Sequence, residues 1–362
     1  MVPALALDSA ELNPHKIKRI VVRAPTWVGD AVMSLPALHE LRRIFPEAHI
    51  AVAAPPGTAD IFIDSDSVNE VMVQSRGGLL SQFSQAGEWR RRQFDLAVIF
   101  QNSFGSAAVA SRGRVPIRIG YATDRRGFLL THPLPVPEWK DQRHESFYYL
   151  NIVAELERLL LRTSTVNTTE PQFALHVSEE RKEKARQLLA RNSAELTKPL
   201  ALLCPGSINS RAKRWPPERY AALADQLAQA GLTVALIGSP GELPVSEEVA
   251  AHAESSPLML TGKTIVAEAV ALISIADVLI TNDTGPAHIG AALKTRTIVI
   301  FGPTNPLTTY PMSPTAEIIR HPPDCAPCML RDCPIDHRCM TAISPEEVFE
   351  RAIAQIGIQR VG

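Results

Sequence analysis

Three cationic side chains, Arg211, Lys213 and Arg214, stand close together after the apolar run LALLC. A proline–glycine–serine turn that contains Ser207 separates them from that run, and a helical pattern begins directly after them at PPERY. At the start of a helix, backbone N–H groups and the helix dipole add to side-chain charge in binding phosphate. The spacing therefore favours a phosphate-binding turn, and the alternative is a basic loop exposed to solvent.

A second unusual turn, TNDTGPAH, lies between the apolar run DVLI and a helical pattern of small residues, and it contains Asp283, Thr284 and Gly285. By local rules, Asp or Thr caps the helix and a proline occupies its first turn. If both apolar runs are parallel strands of one sheet, however, this turn lies at the same edge as Lys213. That convergence favours a ligand site, and we interpret His288, one helical turn further on, as packing.

Two carboxylates follow other apolar runs in the same way. Asp30 comes after RIVVRA and the turn PTWVG, and Glu242 comes after LTVALIGS and a proline–glycine turn. Either side chain can be a simple helix cap, because negative charge is favourable at a helix N-terminus. Asp30 can equally line a cleft, and Glu242 can accept hydrogen bonds from ribose hydroxyls. The first turn lacks the G-x-G-x-x-G pattern, which disfavours a dinucleotide site of that type.

The segments that position these turns alternate between apolar strand patterns and amphipathic helix patterns. Continuous apolar strands separated by helices indicate parallel sheets covered on both faces. A polar, proline-containing segment interrupts the alternation, so we predict two doubly wound α/β domains with a cleft between them. The predicted strands are 19–24, 49–54, 70–74, 94–100 and 117–122 in the first half, and 200–206, 232–239, 257–262, 277–282 and 295–303 in the second.

The domain boundaries follow from this alternation. Within the helical pattern at 30–45, Pro36 is expected to kink the helix or to end its first turn. The last helix opens with Ser344 and, three residues on, Glu347, which is a capping-box pattern. The predicted organisation is an N-terminal extension (1–17), a first α/β domain (18–165), a linker (166–178), a second α/β domain (179–343) and a C-terminal helix (344–362).

The bulk composition excludes several classes of protein. The 362 residues are 45% hydrophobic and 21% charged, which is typical of a globular protein. A net charge of −1 and a pI near 6.8 argue against a general nucleic-acid binder, which normally carries a basic excess. The start of the chain lacks the cationic and apolar regions of a signal peptide, and no apolar run approaches the ~18 residues of a membrane helix. We therefore predict a cytoplasmic protein, with contact to a membrane surface left open.

A cysteine-rich segment, CAPCMLRDCPIDHRC, stands near the end of the second predicted domain. Four thiols that begin with a C-x-x-C pair form a candidate zinc or iron–sulfur site. The spacing matches no standard zinc module, and the alternative is a surface loop with reduced or redox-labile thiols. In a reducing compartment these cysteines do not predict a disulfide framework. The candidate ligands are Cys325, Cys328, Cys333 and Cys339.

Three blocks of this sequence resemble the signature blocks of one enzyme family. They are TWVGDAVMSLPAL, CPGSINSRAKRWPPERY and TNDTGPAHIGAALKTRTIVIFGPTNPLTTYP, and they are similar to glycosyltransferase family 9, the ADP-heptose:lipopolysaccharide heptosyltransferases. The blocks FQNSFGSA and IGYATDRRGFLL and the cysteine segment are most similar to the heptosyltransferase II group. The resemblance runs from about residue 18 to the C-terminus. It implies a GT-B fold, in which two Rossmann-like doubly wound domains face a central cleft.

The resemblance also implies a reaction. It is the inverting transfer of heptose from ADP-L-glycero-β-D-manno-heptose to the lipopolysaccharide inner core, heptosyl-Kdo2–lipid A. Asp30 matches the family's catalytic base, and Lys213 matches a lysine that binds phosphate and stabilises the diphosphate leaving group. Members of this kind dispense with a metal for transfer, so the cysteine segment remains only a candidate structural metal site.

Further residues are implied for the two substrates. Asp283, Thr284 and Gly285 match the donor block, in which amides and a hydroxyl bind the diphosphate and the carboxylate points to the sugar. Ser207 and Glu242 are additional donor-binding candidates. The second predicted domain would bind the donor and the first the acceptor.

For the anionic lipid acceptor, the first domain offers polar residues at a strand end and a set of arginines. Asn102 and Ser103 follow the strand pattern DLAVIF, where a residue lining the cleft is expected. Arg125 and Arg126 are the main cationic candidates for the acceptor's anionic groups. The wider set from which they are drawn also contains Arg112, Arg114, Arg118 and Arg143.

Three alternatives remain open at this stage. The acceptor can be the one used by heptosyltransferase I, because acceptor choice depends on variable loops. The enzyme can be another GT-B protein, such as a nucleotide-sugar 2-epimerase, or the chain can be a non-catalytic, redox-sensing relative. The expected partners are ADP-heptose and a Kdo2–lipid A-type acceptor at the cytoplasmic face of the inner membrane, without nucleic acid, and the oligomeric state is not indicated.

Overall fold

The computed structural model describes residues 14–74 and 77–357 of the chain. The chain divides into two compact units, Met1–Ala174 and Leu175–Gly362. Each unit contains one parallel six-stranded sheet flanked by helices. The α/β class with two doubly wound parallel sheets, predicted from the sequence, is confirmed.

The sheet of the first unit has the spatial order β3-β2-β1-β4-β5-β6. This is the Rossmann-like order, in which the direction of strand progression reverses between β1 and β4. Strand β1 pairs in parallel with β2 on one side and β4 on the other. The strands are β1 (Arg19–Arg23), β2 (His49–Ala54), β3 (Glu70–Val73), β4 (Leu96–Ile99), β5 (Ile117–Tyr121) and β6 (His132–Leu134).

Helices cover both faces of this sheet. Helices α3 and α4 pack together on one face, and α2 packs with α5 on the other. The helical pattern that contains Pro36 is interrupted, as predicted, but the break lies at Ser34. Pro36 is in the first turn of the second of the two resulting helices. The helices are α1 (Val28–Met33), α2 (Leu35–Ile44), α3 (Leu79–Arg92), α4 (Phe104–Arg112) and α5 (Glu145–Leu161).

The second unit repeats the same topology, with the order β12-β11-β10-β7-β8-β9. Here the reversal lies between β7 and β10. Every residue of β7 and of β10 is buried, as expected for central strands covered on both faces. The strands are β7 (Leu200–Cys204), β8 (Thr233–Leu236), β9 (Leu258–Met259), β10 (Val278–Asn282), β11 (Thr297–Ile300) and β12 (Ala316–Ile319).

Eight helices are described in the second unit. Helix α7 packs against α8 and α13, and α9 packs against α6 and α10. They are α6 (Glu179–Arg191), α7 (Pro217–Gln229), α8 (Leu243–His252), α9 (Val266–Ile275), α10 (Gly285–Ala292), α11 (Pro306–Thr309), α12 (Arg338–Thr341) and α13 (Pro345–Ile356).

The last helix begins as the sequence predicts. The Ser344 hydroxyl accepts a hydrogen bond from the Glu347 backbone N–H at 3.2 Å, which satisfies one of the unpaired donors at the start of α13. The Glu347 carboxylate lies 2.8 Å from His321 Nε2. Helix α13 contacts β10 and β11, and Val348 and Ala352 are fully buried in the core of the unit.

Two strands were not predicted from the sequence. Strand β6 is only three residues long and contains Pro133, and β12 is a four-residue edge strand. Such short segments carry too few alternations to show a strand period, and a proline is tolerated because an edge strand has one unpaired side. Within residues 14–74 and 77–357, no helix has the length and apolar character needed to cross a membrane.

Candidate active site

The candidate site in the second unit lies at the carboxyl ends of β7 and β10. These strands are parallel neighbours, with Cys204 beside Thr281 in the register. Open α/β sheets bind ligands beyond the strand ends at the point where the strand order reverses. The turn after β7 carries Lys213 and the turn after β10 carries Asp283, so both residues are at that point.

Lys213, Asp283 and Thr304 form a hydrogen-bonded cluster. Lys213 Nζ lies 2.9 Å from Asp283 Oδ2 and 3.1 Å from the Asp283 carbonyl oxygen. The Thr304 hydroxyl, from the turn after β11, donates to the same Oδ2 at 2.6 Å. Asp283 is 3% exposed, whereas the Lys213 side chain is 25% exposed. The cluster thus presents a partly accessible ammonium group on a buried carboxylate.

Asn282 joins the turns on either side of this cluster. Its side-chain amide donates to the carbonyl oxygens of Pro205 and Gly206, at 2.8 and 3.2 Å. Its Oδ1 accepts from the Trp215 backbone N–H at 3.1 Å and from the Tyr220 hydroxyl at 3.2 Å. Because Asn282 is fully buried, these four bonds fix the course of the chain on both sides of Lys213.

The three cations of the first turn have different roles. Arg211 pairs with Asp332 at 2.5 Å, and both side chains are largely exposed. Arg214 donates from Nε and Nη2 to the Ser207 carbonyl oxygen, at 3.1 and 2.8 Å. Ser207 is buried. Of the three, only Lys213 points to the turn after β10.

Helix α10 begins directly beside the cluster. Its N-cap residue is Thr284, but the Thr284 side chain makes no capping hydrogen bond. The hydroxyl lies instead 3.3 Å from the Asn282 carbonyl oxygen. The expectation that Asp or Thr caps this helix is therefore wrong, because the Asp283 carboxylate is bound by Lys213 and Thr304. Among the described residues, therefore, no N-cap side chain binds the N-terminus of α10, whose first residue is Gly285.

His288 is packed inside the unit, as predicted. It is 7% exposed, and burial lowers its pKa to about 4, with the Lys213 charge lowering it further and the Asp283 charge opposing that shift. The imidazole is consequently neutral at neutral pH.

Glu242 has a local partner. Its Oε2 accepts from the backbone N–H and the hydroxyl of Ser239, each at 2.8 Å, which forms a capping box. A side chain on Gly206 would collide with the Glu242 carboxylate, so the glycine allows the turns after β7 and β8 to approach each other. The capping role considered from the sequence is present, and a ribose contact of Glu242 stays a prediction.

In the first unit, Asp30 is the third residue of α1 and is half-buried. The N-cap of this helix is Trp27, so Asp30 is not the cap that the alternative interpretation supposed. Its charge is among the causes that raise the pKa of the fully buried Tyr149 phenol, after burial itself. The carboxylate thus lies near the point where α1 meets α5, beyond the carboxyl end of β1.

Asn102 and Ser103 follow β4 at the same edge of the sheet. The Asn102 amide donates to the Tyr148 hydroxyl at 2.9 Å, and its Oδ1 accepts from Arg126 Nη2 at 2.9 Å. Ser103 caps α4 by accepting from the Ser106 backbone N–H at 3.2 Å. Asn102 is exposed as a residue, although its amide is already hydrogen-bonded.

The two main arginine candidates, Arg125 and Arg126, differ sharply in exposure. Arg126 is 0% exposed, and its guanidinium donates to the carbonyl oxygens of Tyr121, Gln101 and Ser103. This burial argues against the predicted acceptor contact of Arg126, and we assign it a structural role. Arg125 is exposed, in a left-handed backbone conformation with φ of 53°.

The wider set of arginines divides in the same way. Arg118 and Arg143 donate to backbone carbonyl oxygens of Leu129 and Thr168, each at 2.7 Å. Arg112 and Arg114 are exposed. Exposed candidates for anionic groups are therefore found at three of the six positions, Arg112, Arg114 and Arg125.

The cysteine segment contacts the turn that carries Lys213. His337 Nε2 lies 2.6 Å from the Ala212 carbonyl oxygen, and the Ala212 backbone N–H donates to the Arg331 carbonyl oxygen at 2.9 Å. The cysteine segment also donates from the Met329 backbone N–H to the Pro303 carbonyl oxygen at 3.0 Å, next to Thr304. It therefore supports the turns that carry both partners of Asp283.

The four cysteines of this segment are unpaired thiols. Burial and the neighbouring thiols raise the pKa of Cys339 to about 11. In the described part of the chain, no group of three or more His, Cys, Asp or Glu side chains is arranged to hold a metal ion. Metal binding by the candidates Cys325, Cys328, Cys333 and Cys339 stays a prediction.

Sequence reasoning missed Thr304, Asn282 and His337 as parts of this arrangement. Thr304 lies in the quoted block IFGPT, directly after β11, so its position at a strand end was an available signal. Asn282 precedes Asp283 in the TND turn, but its buried amide had no local signature. His337 lies in the cysteine segment, and no local pattern relates it to the turn that carries Lys213.

Known proteins of one family are similar to this chain in sequence and in fold. The model of glycosyltransferase family 9 (heptosyltransferase) matches residues 84–338. Lipooligosaccharide heptosyltransferase 2 of Haemophilus ducreyi is 31% identical over 316 residues, which are 83% of this chain and 88% of that protein. Lipopolysaccharide heptosyltransferase 2 of Escherichia coli K12 is 30% identical over 316 residues, with the same shares covered.

A solved structure is also similar. It is described as E. coli ADP-heptose lps heptosyltransferase II, and it matches with a TM-score of 0.81 at 28% identity, covering 93% of this chain and 98% of that one. The predicted GT-B class is confirmed by this match. Because the family model covers more than half of the chain and relatives at 30% identity or more span most of it, this chain belongs to glycosyltransferase family 9, the heptosyltransferases.

Proposed function

We propose that this glycosyltransferase moves L-glycero-D-manno-heptose from ADP-heptose to heptosyl-Kdo2–lipid A, with inversion at the anomeric carbon. The observation that carries the proposal is the Lys213–Asp283 pair at the strand reversal of the second unit, beside the uncapped start of α10. Relatives named as heptosyltransferase 2 support this choice of acceptor over that of heptosyltransferase I.

In the donor half of the reaction, the bond between the heptose C1 and the β-phosphate oxygen of ADP breaks. The leaving diphosphate gains negative charge as this bond lengthens. We assign its stabilisation to the Lys213 ammonium and to backbone N–H groups at the start of α10, including that of Gly285. The proposal therefore requires no metal ion for transfer.

Asp283 orients Lys213 in this scheme. One of its carboxylate oxygens, Oδ2, is occupied by Lys213 and Thr304. No hydrogen bond to the other, Oδ1, is made by the described residues, so we assign it to a hydroxyl of the heptose. Glu242 Oε1 and the Ser207 turn lie on the neighbouring strand ends, where they suit the nucleoside part of the donor.

In the acceptor half, Asp30 is the proposed general base. It removes the proton from the acceptor hydroxyl, whose oxygen attacks C1 on the face opposite the departing ADP. The products are ADP and the acceptor lengthened by one heptose. Arg125 and the polar strand end at Asn102 and Ser103 are the proposed acceptor contacts.

We place the enzyme at the cytoplasmic face of the inner membrane, as a peripheral protein. An apolar surface supports this placement: Leu80 and Phe128 are 86% and 76% exposed, and Phe128 packs against the exposed Phe104 ring with centroids 6.1 Å apart. Arg112 lies over the ring of exposed Phe83 at 5.1 Å. Exposed apolar side chains edged by arginines suit an anionic lipid surface.

A vesicle assay tests this placement. The protein is expected to sediment with vesicles of phosphatidylethanolamine and phosphatidylglycerol, and Phe128→Asp with Leu80→Asp is expected to abolish sedimentation. A double substitution on the exposed face of α6, Lys184→Asp with Arg186→Asp, serves as the charge control. Equal sedimentation of both double variants would contradict the placement.

The activity is tested by incubating the protein with ADP-heptose and heptosyl-Kdo2–lipid A and measuring ADP release. Wild type is expected to release ADP, and Asp30→Asn is expected to release little while still binding ADP. Kdo2–lipid A without the first heptose serves as the comparison acceptor. The assignment fails if wild type releases no ADP, and the base is misassigned if Asp30→Asn keeps a rate near that of wild type.

A further inference from the structure

Arg23 is a buried cation without an acidic partner. It is the last residue of β1 and is 9% exposed. Its Nη1 donates to Gln74 Oε1 at 2.8 Å and lies 3.5 Å from Gln85 Oε1, and its Nε donates to Gln101 Oε1 at 2.9 Å. No carboxylate of residues 14–74 or 77–357 forms an ion pair with it, and burial alone lowers its pKa, to about 10.

Three neutral amide oxygens compensate a buried guanidinium only in part. Buried arginines are normally matched by a carboxylate, a phosphate or a metal-bound anion, because transfer of a charge from water is costly. Here the side chains that surround Arg23 are glutamines, which supply hydrogen bonds but no negative charge. The Arg23 guanidinium is therefore a buried positive charge for which the surrounding side chains provide no negative charge, and a bound anion could provide it.

A second polar group beside Arg23 also lacks a partner. Gln74 is 3% exposed, and its Nε2 is buried with no hydrogen-bond partner among the described residues. Its Oε1 is held by the Arg23 guanidinium, so its amide N–H groups belong to the same cluster. Unsatisfied donors of this kind are rare in folded proteins and call for a ligand or another explanation.

The position of the cluster is that of a binding site. Arg23 pairs with Ile99 of β4 in the register, and the strand order of this sheet reverses between β1 and β4. Gln101 connects Arg23 to the Thr26 hydroxyl, to which its Nε2 donates at 3.0 Å. Thr26 lies in the turn that leads to Asp30. Open α/β sheets bind ligands at this edge.

We propose that Arg23 and Gln74 form a subsite for one oxyanion, a carboxylate or a phosphate group of the acceptor. The guanidinium supplies the charge and the N–H groups of Nη2, which have no hydrogen-bond acceptor among the described residues, and the Gln74 amide supplies a further donor. That the oxyanion belongs to the acceptor rests on the proposed function, since the subsite lies in the unit and at the edge that carry Asp30. Binding of an oxyanion as such does not depend on it.

The first experiment measures oxyanion binding by the full chain in a Lys213→Met background, so that the phosphate-binding turn of the second unit does not contribute. Inorganic phosphate, at ionic strength held constant with chloride, is expected to raise the Tm of this protein. Arg23→Met is expected to abolish that rise. Arg23→Lys is expected to retain a reduced rise, because the charge remains but the forked donors are lost.

Gln74→Glu provides an internal substitute for the ligand. It places a carboxylate where an amide oxygen now lies 2.8 Å from the guanidinium. The subsite predicts that Gln74→Glu raises the Tm without phosphate and no longer responds to phosphate. If Gln74→Glu lowers the Tm, or responds to phosphate as its parent does, the subsite is wrong. This variant keeps the test decisive even if Arg23→Met fails to fold.

The second experiment separates acceptor binding from chemistry in the otherwise unmodified chain. Arg23→Met is expected to raise the acceptor KM about tenfold or more, as loss of a charge-assisted pair predicts, with kcat within about twofold and ADP affinity unchanged. An unchanged acceptor KM would overturn the assignment to the acceptor. Acceptors that lack their phosphates, or whose carboxyl groups are amidated, identify the bound group. When that group is missing, wild type and Arg23→Met should have the same acceptor KM; when another group is missing, their KM values should still differ.

The two proposals fail in distinguishable ways. If wild type releases no ADP with any of these acceptors, the proposed transfer is wrong, and the phosphate measurements still decide whether Arg23 binds an oxyanion. If wild type is active but phosphate never changes the Tm of the Lys213→Met protein and Arg23→Met keeps the wild-type KM, the transfer is supported and the subsite is wrong.

Discussion

Lys213 Nζ lies 2.9 Å from Asp283 Oδ2, across the two strand ends where the second sheet reverses its strand order. The carboxylate is 3% exposed and the ammonium side chain 25% exposed. The buried Asp283 carboxylate therefore orients the Lys213 ammonium group, and the more accessible ammonium group can contact a ligand.

Removing the Lys213 ammonium group should lower both stability and activity, and a second substitution at Asp283 should restore only the stability. Lys213→Met leaves the Asp283 carboxylate buried without its counter-charge, so we expect the free energy of unfolding to fall by about 1–3 kcal/mol and transfer to fall roughly 100-fold or more. The double variant Lys213→Met with Asp283→Asn should regain the stability but not the transfer rate. Urea unfolding and ADP release measure the two effects. A double variant as unstable as Lys213→Met would mean that the pair is not energetically coupled.

Thr304 should contribute through its hydroxyl alone. Thr304→Val keeps the shape but removes the donor to Asp283 Oδ2, so the stability should fall by about 1 kcal/mol and ADP should bind several-fold more weakly. Thr304→Ser, which restores a hydroxyl, is the matched control and should recover ADP affinity. Calorimetric titration with ADP checks this, and equal affinity of the valine and serine variants would exclude a role for the hydroxyl.

The buried His288 predicts a pH dependence of stability. Its pKa is lowered to about 4 in the folded chain by burial, so below the unfolded value near 6.5 the unfolded chain binds more protons than the folded one. Stability is thus complete above that value and declines as the pH falls towards 4, by about 2 kcal/mol between pH 7 and pH 5. His288→Asn should flatten this part of the stability curve. Parallel curves for the two proteins would contradict the assignment.

The cysteine segment should influence donor binding through His337. A carbonyl oxygen only accepts, so His337 Nε2 donates to the Ala212 carbonyl oxygen next to Lys213. His337→Ala should loosen this turn and weaken ADP binding several-fold, with little change in the acceptor KM. His337→Gln, which retains a donor, should restore part of the affinity. Loss of acceptor binding to the same extent would indicate general unfolding instead.

Thiol reactivity should follow burial along the cysteine segment. Cys325 is exposed, whereas Cys339 is buried with a pKa raised to about 11. At pH 8, iodoacetamide should label Cys325 first and Cys339 much later, together with the buried Cys204, since the thiolate is the reactive form. Mass spectrometry of timed samples gives the order. Protection of Cys325 that is lost on adding a chelator would demonstrate the candidate metal site, and Cys328→Ser, which should lack this protection, is the control.

Much of the fold follows from local sequence patterns. All five predicted strands of each half are present, because most strands of these parallel sheets are apolar runs that can be recognised in the sequence without their partners. Their order, and the edge strands β6 and β12, required the folded chain. The convergence of Lys213 and Asp283 could be predicted because the carboxyl ends of neighbouring parallel strands meet at one edge.

The tertiary structure decided which polar side chains at those edges remain available to a ligand. Arg125 and Arg126 are adjacent in sequence, yet one is exposed and the other is fully buried among backbone carbonyl oxygens. The same holds for Arg23, whose burial beside Gln74 depends on residues far away in the chain. The sequence alone determines the positions of the charged residues along the chain. Burial and hydrogen bonding depend on packing between distant segments, so only the folded chain determines which charges have partners and which are left for a ligand.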